Sequence, residues 1–288
     1  MKKVLVILIA FATTFMVSCS DDNQLADSDS IFVEDVDFSA TSEALFDDVE
    51  DATEEAVGEE ILGGGRLGMG GFFGCAEVTK DDEAQTITID FGDGCVGRND
   101  RVRSGKIIIT WSGTRGEAGF TRIATFENFF VSGVQIEGTR TSVNVTGSDA
   151  NPKVRTVTLV GGKMTFEDGT VATRDATHTT QLEETTDDVI KTKYGSASGI
   201  NMDGLTYSKL IEEFNPITFK RSCKADGIFA PVAGIVTFSV EGEEDKVINY
   251  GDGTCDNLAT VTQGDLVEEI EVEARKKRRD HSKQRRRG

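Results

Sequence analysis

The sequence predicts an all-β protein: an elongated antiparallel sheet domain, a sandwich or an open barrel, preceded by one acidic amphipathic helix. Three observations point there. From 72 to 273 short β-branched runs alternate or stay apolar at strand length, broken by Gly and Asp. Many of their links are short and glycine-bearing, as hairpins require. Residues 41 to 62 differ, placing apolar side chains three or four apart.

In "TSEALFDDVEDATEEAVGEEIL" the apolar face is Leu45, Val49, Ala52, Ala56 and Val57. Thr41 or Ser42 stands where a cap belongs, and the glycines at 63 to 65 end the helix. The stretch before it, 19 to 40, opens "SDDNQLADSDS", too polar to bury a core, and is expected to be a flexible tether. From 20 to 62 the chain carries sixteen Asp or Glu and no Lys or Arg. This acidity is read as a solubility feature in preference to a dedicated cation or partner site. Residues 63 to 71 form a glycine-rich linker into the first strand.

The strand candidates are "QTITIDF", "GKIIITW", "TRIATFENFFV", "VQIEGTRTSVNV", "VRTVTLV", "KMTFED", "TVATRDATHTTQL", "GIVTFSV", "KVINY", "ATVTQ" and "LVEEIEV". Hairpin-like links are expected at Ser132-Gly133, Gly161-Gly162, Asp168-Gly169, "EGEED" and "QGD". No Pro- or Ser-rich linker divides them, so one β domain is expected over 72 to 273.

Residues 1 to 18 read as a leader. Lys2 and Lys3 form a basic start, residues 4 to 17 an apolar run, and "MVSC" a cleavage site ending at Cys19. A thiol at that place, after the small Ser18, is the substrate of lipoprotein acylation, so Cys19 is read as the lipidated first residue of the mature chain. The apolar run is shorter than the roughly 20 residues of a membrane span. More than one acyl chain anchors stably, each buried methylene contributing about 0.8 kcal/mol.

Four further cysteines remain, Cys75, Cys95, Cys223 and Cys255, in a compartment that oxidises thiols. Two related stretches, "ITIDFGDGC" and "VINYGDGTC", each end a strand on a cysteine, and each has an earlier partner, in "CAEVT" and "CKADGIF". The pairs Cys75 with Cys95 and Cys223 with Cys255 follow. The letters D-F-G in the first stretch are not a kinase motif, since the glycine loop, strand lysine and H-R-D loop are missing. "GGGRLGMGGFFG" lacks the phosphate-cradling Lys of a P-loop. Asp90 and Asp93, or Asp252, Asp256 and Asn257, offer oxygens to calcium, but not the twelve-residue loop closed by Glu. A turn stapled by a disulfide is the preferred reading.

Composition also limits catalysis. The β region holds one histidine, His178, because His281 lies in the terminal tail, so a multi-histidine metal site cannot be assembled. His178 sits in the polar run "DATHTTQ" and is expected to face solvent. One Trp and three Tyr supply few sugar-stacking platforms, and the seventeen Phe are expected in the core. No catalytic residue, metal ligand or cofactor is assigned.

The chain closes on "ARKKRRDHSKQRRRG", residues 274 to 288, with a net charge of −19 for the whole. Arg275, Lys276, Lys277, Arg278, Arg279, Lys283, Arg285, Arg286 and Arg287 are expected to form a disordered basic tail. On an exported protein their counterparts are anionic lipid or lipopolysaccharide phosphates, not nucleic acid.

The stretches "CAEVT…TITIDFGDGC", "RVRSGKIIITWSG", "FENFFVSGVQIEGTRT" and "INYGDGTCDNLATVT", together with the leader, resemble Bacteroidota-type (flavobacteria-like) cell-envelope lipoproteins of no established activity. The likeness spans most of 75 to 272. It implies a β-rich envelope lipoprotein and carries over no catalytic residue; Ser20-Asp21-Asp22 is similar to the acidic surface-export signal of such proteins. The expected role is therefore binding or scaffolding from an outer-membrane anchor, facing the periplasm or the cell surface. The alternative is a carboxylate-dependent hydrolase of glycan or peptide.

Overall fold

The computed structural model describes residues 28–58, 75–97 and 101–272. Cys19, the glycine-rich linker and the basic tail lie outside these residues.

The first element is a helix, α1 (Ser28–Gly58). It begins inside the stretch expected to be a tether, and the glycines 63 to 65 expected to end it lie outside the described residues. Thr41 and Ser42 lie inside it rather than at its start. Tertiary burial along its middle supplies stability that the Ser- and Asp-rich composition does not advertise.

Fifteen strands follow, every paired neighbour antiparallel: β1 (Glu77–Asp81), β2 (Thr86–Asp90), β3 (Cys95–Val96), β4 (Val102–Ser112), β5 (Thr121–Val131), β6 (Val134–Asn144), β7 (Lys153–Thr165) and β8 (Val171–Glu184) form the first half. The second half is β9 (Val189–Ile200), β10 (Thr206–Ile211), β11 (Ile217–Lys220), β12 (Ala233–Val240), β13 (Lys246–Asp252), β14 (Leu258–Gln263) and β15 (Leu266–Glu271). All belong to one sheet, a meander running from β1 to β15, with β3 added beside β4 and β11 bridging β9 and β12. The sheet is open: β1 and β15 are its two ends.

Four of the expected hairpins form, at Ser132-Gly133, Asp168-Gly169, "EGEED" and "QGD". The fifth does not. Gly161-Gly162 lies within β7 as a bulge, where the register to β8 slips between Leu159 and Gly162 and the Gly161 N–H donates to Asp175 Oδ1 at 2.6 Å. Similar slips interrupt β4 at Gly105, β6 at Gly138 and β12 at Gly234. A Cβ at Gly105 would stand 1.9 Å from the Asn128 carbonyl oxygen, with φ at +77°, so only glycine fits. Bulges bend their strands, and the sheet curves round the helix.

Helix and sheet share the main core. Leu45, Phe46, Val49, Ala52 and Ala56 pack with Ile87, Ile89, Ile107, Ile109, Phe129 and Ile136. A second apolar cluster, Ile211, Ile217, Val236, Ile248 and Val261, holds the C-terminal strands together. Both disulfides form as the sequence suggests, Cys75 with Cys95 and Cys223 with Cys255, with Cα atoms 5.5 and 5.1 Å apart.

Candidate functional site

At about 100° per residue, Ser42, Leu45, Phe46, Val49, Ala52, Thr53 and Ala56 share an arc of roughly 120° on α1. All seven are buried. Asp48 falls just beyond one rim of that arc, and Glu43 and Glu50 just beyond the other. The apolar stripe therefore sits in the trough with a carboxylate row on each side, and the sheet answers both rows with cations.

On one side Asp48 accepts from Arg103 Nε at 2.8 Å and Nη2 at 2.7 Å, and from Arg101 Nη1 at 2.9 Å. Across the helix, Glu50 accepts from Arg140 Nε at 2.9 Å and Arg155 Nη1 at 3.1 Å, with Arg122 Nη2 at 3.6 Å. Glu43 pairs with Lys193 and, at 2.6 Å, with Lys209. Arg174 Nη1 donates to Ser42 Oγ at 3.5 Å. Seven consecutive neighbours, β4 through β10, each send at least one cation to this seam.

Strand pairing places these side chains. Lys209, Ala197, Ala176, Leu159, Arg140, Ala124, Ile109 and Ile87 are partners in turn across eight strands. A neighbouring line runs through Gly195, His178, Val157, Ser142 and Arg122. Residues on such lines share one face of the sheet, here the face under α1.

This geometry sets the charge states. Burial pushes the Glu43 carboxyl up, but Lys193, Lys209 and Arg174 overcome it and hold the pKa well below the usual carboxylate range. Glu50 is likewise lowered against its burial by Arg140, Arg122 and Arg155. Burial lowers Lys209, with Glu43 opposing. Glu43 and Glu50 are thus ionised, each held by at least two cations, an arrangement that desolvated charges require.

His178 does not face solvent, contrary to the expectation from its polar strand. It lies on the inner face, and burial, then Lys193 and Arg140, push its imidazole down to about 3. It is neutral throughout the physiological range. Beside it, between α1 and β6 to β10, is a cavity of about 30 Å³, edged by Glu43, Phe46, Arg140, Arg174, Lys193 and Lys209.

The solubility reading of the acidic helix is corrected for Glu43, Asp48 and Glu50, which are turned inward and consumed in ion pairs. Both "GDG" stretches are turns: Asp90 Oδ1 accepts from the Gly92 N–H at 2.9 Å, and Asp252 Oδ1 from the Thr254 N–H at 3.1 Å. Among the described residues no group of three or more His, Cys, Asp or Glu is placed to hold a metal ion. Cys19 and the nine basic residues of the tail, from Arg275 to Arg287, lie outside the described residues. No protein-family model matches this chain, and no curated protein or solved structure matches it either.

The seam was not anticipated from the sequence. Its one legible trace is a repeated pattern, a lone arginine among β-branched or small residues in "TRIAT", "GTRTS", "KVRTV" and "ATRDA", set against a helix without a single cation.

Proposed function

We propose that this chain is a non-catalytic lipoprotein of the outer membrane or cell surface, held by acyl chains on Cys19, whose β body binds or scaffolds a partner. The observation that supports a binding over a hydrolytic role is the state of the carboxyls. Acid–base hydrolysis of glycan needs one carboxyl raised toward neutrality so that it keeps a proton to give. Glu43 and Glu50 are moved the other way. So are Asp90 by Lys106, Asp168 by the Thr170 backbone, Glu184 by Lys153, Asp188 by Ser222 and Asp252 by Thr254. The sheet face that would form the floor of a cleft is covered by α1.

The anchor reading rests on the basic start, the apolar run and "VSC" before Cys19. Placing a tether and then a sheet-docked helix directly after the acylated residue would hold the β body close to the membrane. Fractionation of cells carrying the unaltered chain and Cys19→Ser tests this. The unaltered chain should stay with the outer membrane and the variant should be released; identical partitioning would sink the anchor. Turnover of a glycan or peptide substrate that disappears in Glu43→Gln would overturn the non-catalytic role.

A further inference from the structure

Two lysines converge on the Glu43 carboxylate. Lys193 Nζ lies against Oε1, and Lys209 Nζ meets Oε2 at 2.6 Å. The three side chains come from β9, β10 and α1, and Lys193, Lys209 and Glu43 are only 12, 11 and 18 % exposed. A buried ion pair is a weak source of stability, because the loss of hydration offsets much of the attraction between its charges. The same atoms have an uncharged alternative. Less one water molecule, an ammonium and a carboxylate make a secondary amide.

Contact, protonation and space all favour that condensation here. Groups held together by a fold react as one molecule, and well-oriented pairs reach effective concentrations on the order of 10⁵ M or more. The attacking nitrogen must shed its charge, and burial pulls the Lys209 ammonium down, with Lys193 and Arg174 adding to it and Glu43 opposing. Glu43 is ionised before reaction, so the proton that its leaving oxygen needs comes from the lysine it touches. The water released has a place to go. The cavity of about 30 Å³ bordered by Glu43, Lys193, Lys209 and His178 has room for roughly two water molecules.

We propose that Glu43 and Lys209 condense within the folded chain to a side-chain amide that joins α1 covalently to β10. The step balances without a co-reactant. A proton passes from Lys209 Nζ to Glu43 Oε2, giving an amine and a carboxylic acid. The amine lone pair attacks Cδ and forms the N–C bond, while the negative charge of the tetrahedral centre falls on Oε1, against Lys193. A proton then moves from the nitrogen to the Oε2 hydroxyl, the C–O bond breaks, and water departs. His178, uncharged on the cavity wall, can relay that proton. The ion pair is the unreacted state; once the amide has formed, release of α1 by acid rests on Glu50. With the anchor proposed at Cys19, a pull from the membrane would enter the sheet through this bond, but the bond itself does not depend on that anchor.

Peptide mapping by mass spectrometry tests this on the unaltered chain, stored folded at neutral pH and then reduced, denatured and digested. A branched peptide joining Glu43 to Lys209, lighter by one water than the sum of its two arms, should accumulate with storage. It should be absent from chain stored in urea, where the contact is lost. It should also be absent from Lys209→Arg, whose guanidinium keeps the positive charge but stays protonated and cannot attack. The parent chain decides the matter even if that variant loses its fold. Only linear peptides after prolonged storage, a branch at Lys193 instead, or equal branching in urea would overturn the proposal.

Discussion

Asp48 of α1 and Arg103 of β4 form a two-point ion pair, Oδ2 with Nε at 2.8 Å and Oδ1 with Nη2 at 2.7 Å, across 55 residues of chain. Arg103 is fully buried. Removing one partner of such a pair strands the other charge in a dry site. Asp48→Ala should therefore cost about 3 to 5 kcal/mol, whereas the double change Asp48→Leu with Arg103→Met should cost clearly less, because no buried charge remains. Urea midpoints of the three proteins measure this; a double variant as unstable as the single one would show that packing, not charge, dominates the contact.

Acid should loosen the helix through Glu43 and Glu50. Both have folded pKa values below the ordinary 4.5. Their stabilisation is therefore complete above about 4.5, the unfolded value, and is lost as pH falls through the folded values. Amide exchange in residues 42 to 56 should accelerate below pH 4.5 before exchange in β13 and β14 does. In Glu50→Gln the same acceleration should be weaker, since the group that titrates is gone. Simultaneous release of helix and C-terminal strands would contradict a separate helix–sheet fastening.

His178 adds a second pH dependence, in a different window. Its folded pKa of about 3 lies below the ordinary 6.5, so the unfolded chain takes up a proton that the folded chain refuses. Stability should consequently fall as pH drops from about 6.5 toward 3. His178→Gln removes that proton uptake and should flatten the decline in urea midpoint between pH 7 and pH 4.5. An unchanged slope would mean that His178 is protonated in the folded protein.

Where the sequence was legible, local pattern decided the outcome. Residues 121 to 131 form β5 to the residue because the strand is bounded by Gly119-Phe120 before it and Ser132-Gly133 after it. The cysteines paired with their neighbours in sequence: Cys75, just before β1, meets Cys95 of β3, and Cys223, in a 3-10 turn at Ser222–Asp226, meets Cys255 just beyond β13. Legibility failed where long-range pairing overrode local signals. β9, β10 and β11 were not foreseen: "YGSASG" within β9 has little strand propensity, and the strand exists because ten of its residues pair with β8. Losing these strands also hid Lys193 and Lys209. Gly161-Gly162 looked like a turn, yet β8 continues alongside it. His178 and the arginines alternate with threonine, which reads as a two-faced polar strand until a helix covers one face.

The Cys223–Cys255 bond closes a separation of 32 residues that contains β12 and β13. On chain-entropy grounds its removal should cost about 3 to 4 kcal/mol. The double change Cys223→Ala with Cys255→Ala should lower the urea midpoint while leaving exchange in α1 close to that of the parent. The reason is spatial: the cluster Ile211, Ile217, Val236, Ile248 and Val261 contains no described residue of α1. Faster exchange in α1 than in β13 would show that the two cores are not separable.

The basic tail from Arg275 to Arg287 should act by charge alone. Its cations are crowded into a stretch with no apolar side chain beyond Ala274, so it has no means of burying a surface. Facing phosphate-bearing membrane, each could contribute up to about 1 kcal/mol, and molar salt shortens the Debye length to about 3 Å and removes most of it. The acidic helix is a poorer competitor for these charges than its composition suggests, because Glu43, Asp48 and Glu50 are already paired with the sheet. The chain beginning at Ser20 should therefore bind anionic vesicles in low salt and lose that binding when truncated after Val272. Glu43→Gln should leave it unchanged, since that carboxylate is already held by Lys193 and Lys209. Binding that persists after truncation and in molar salt would place the contact on the β body instead.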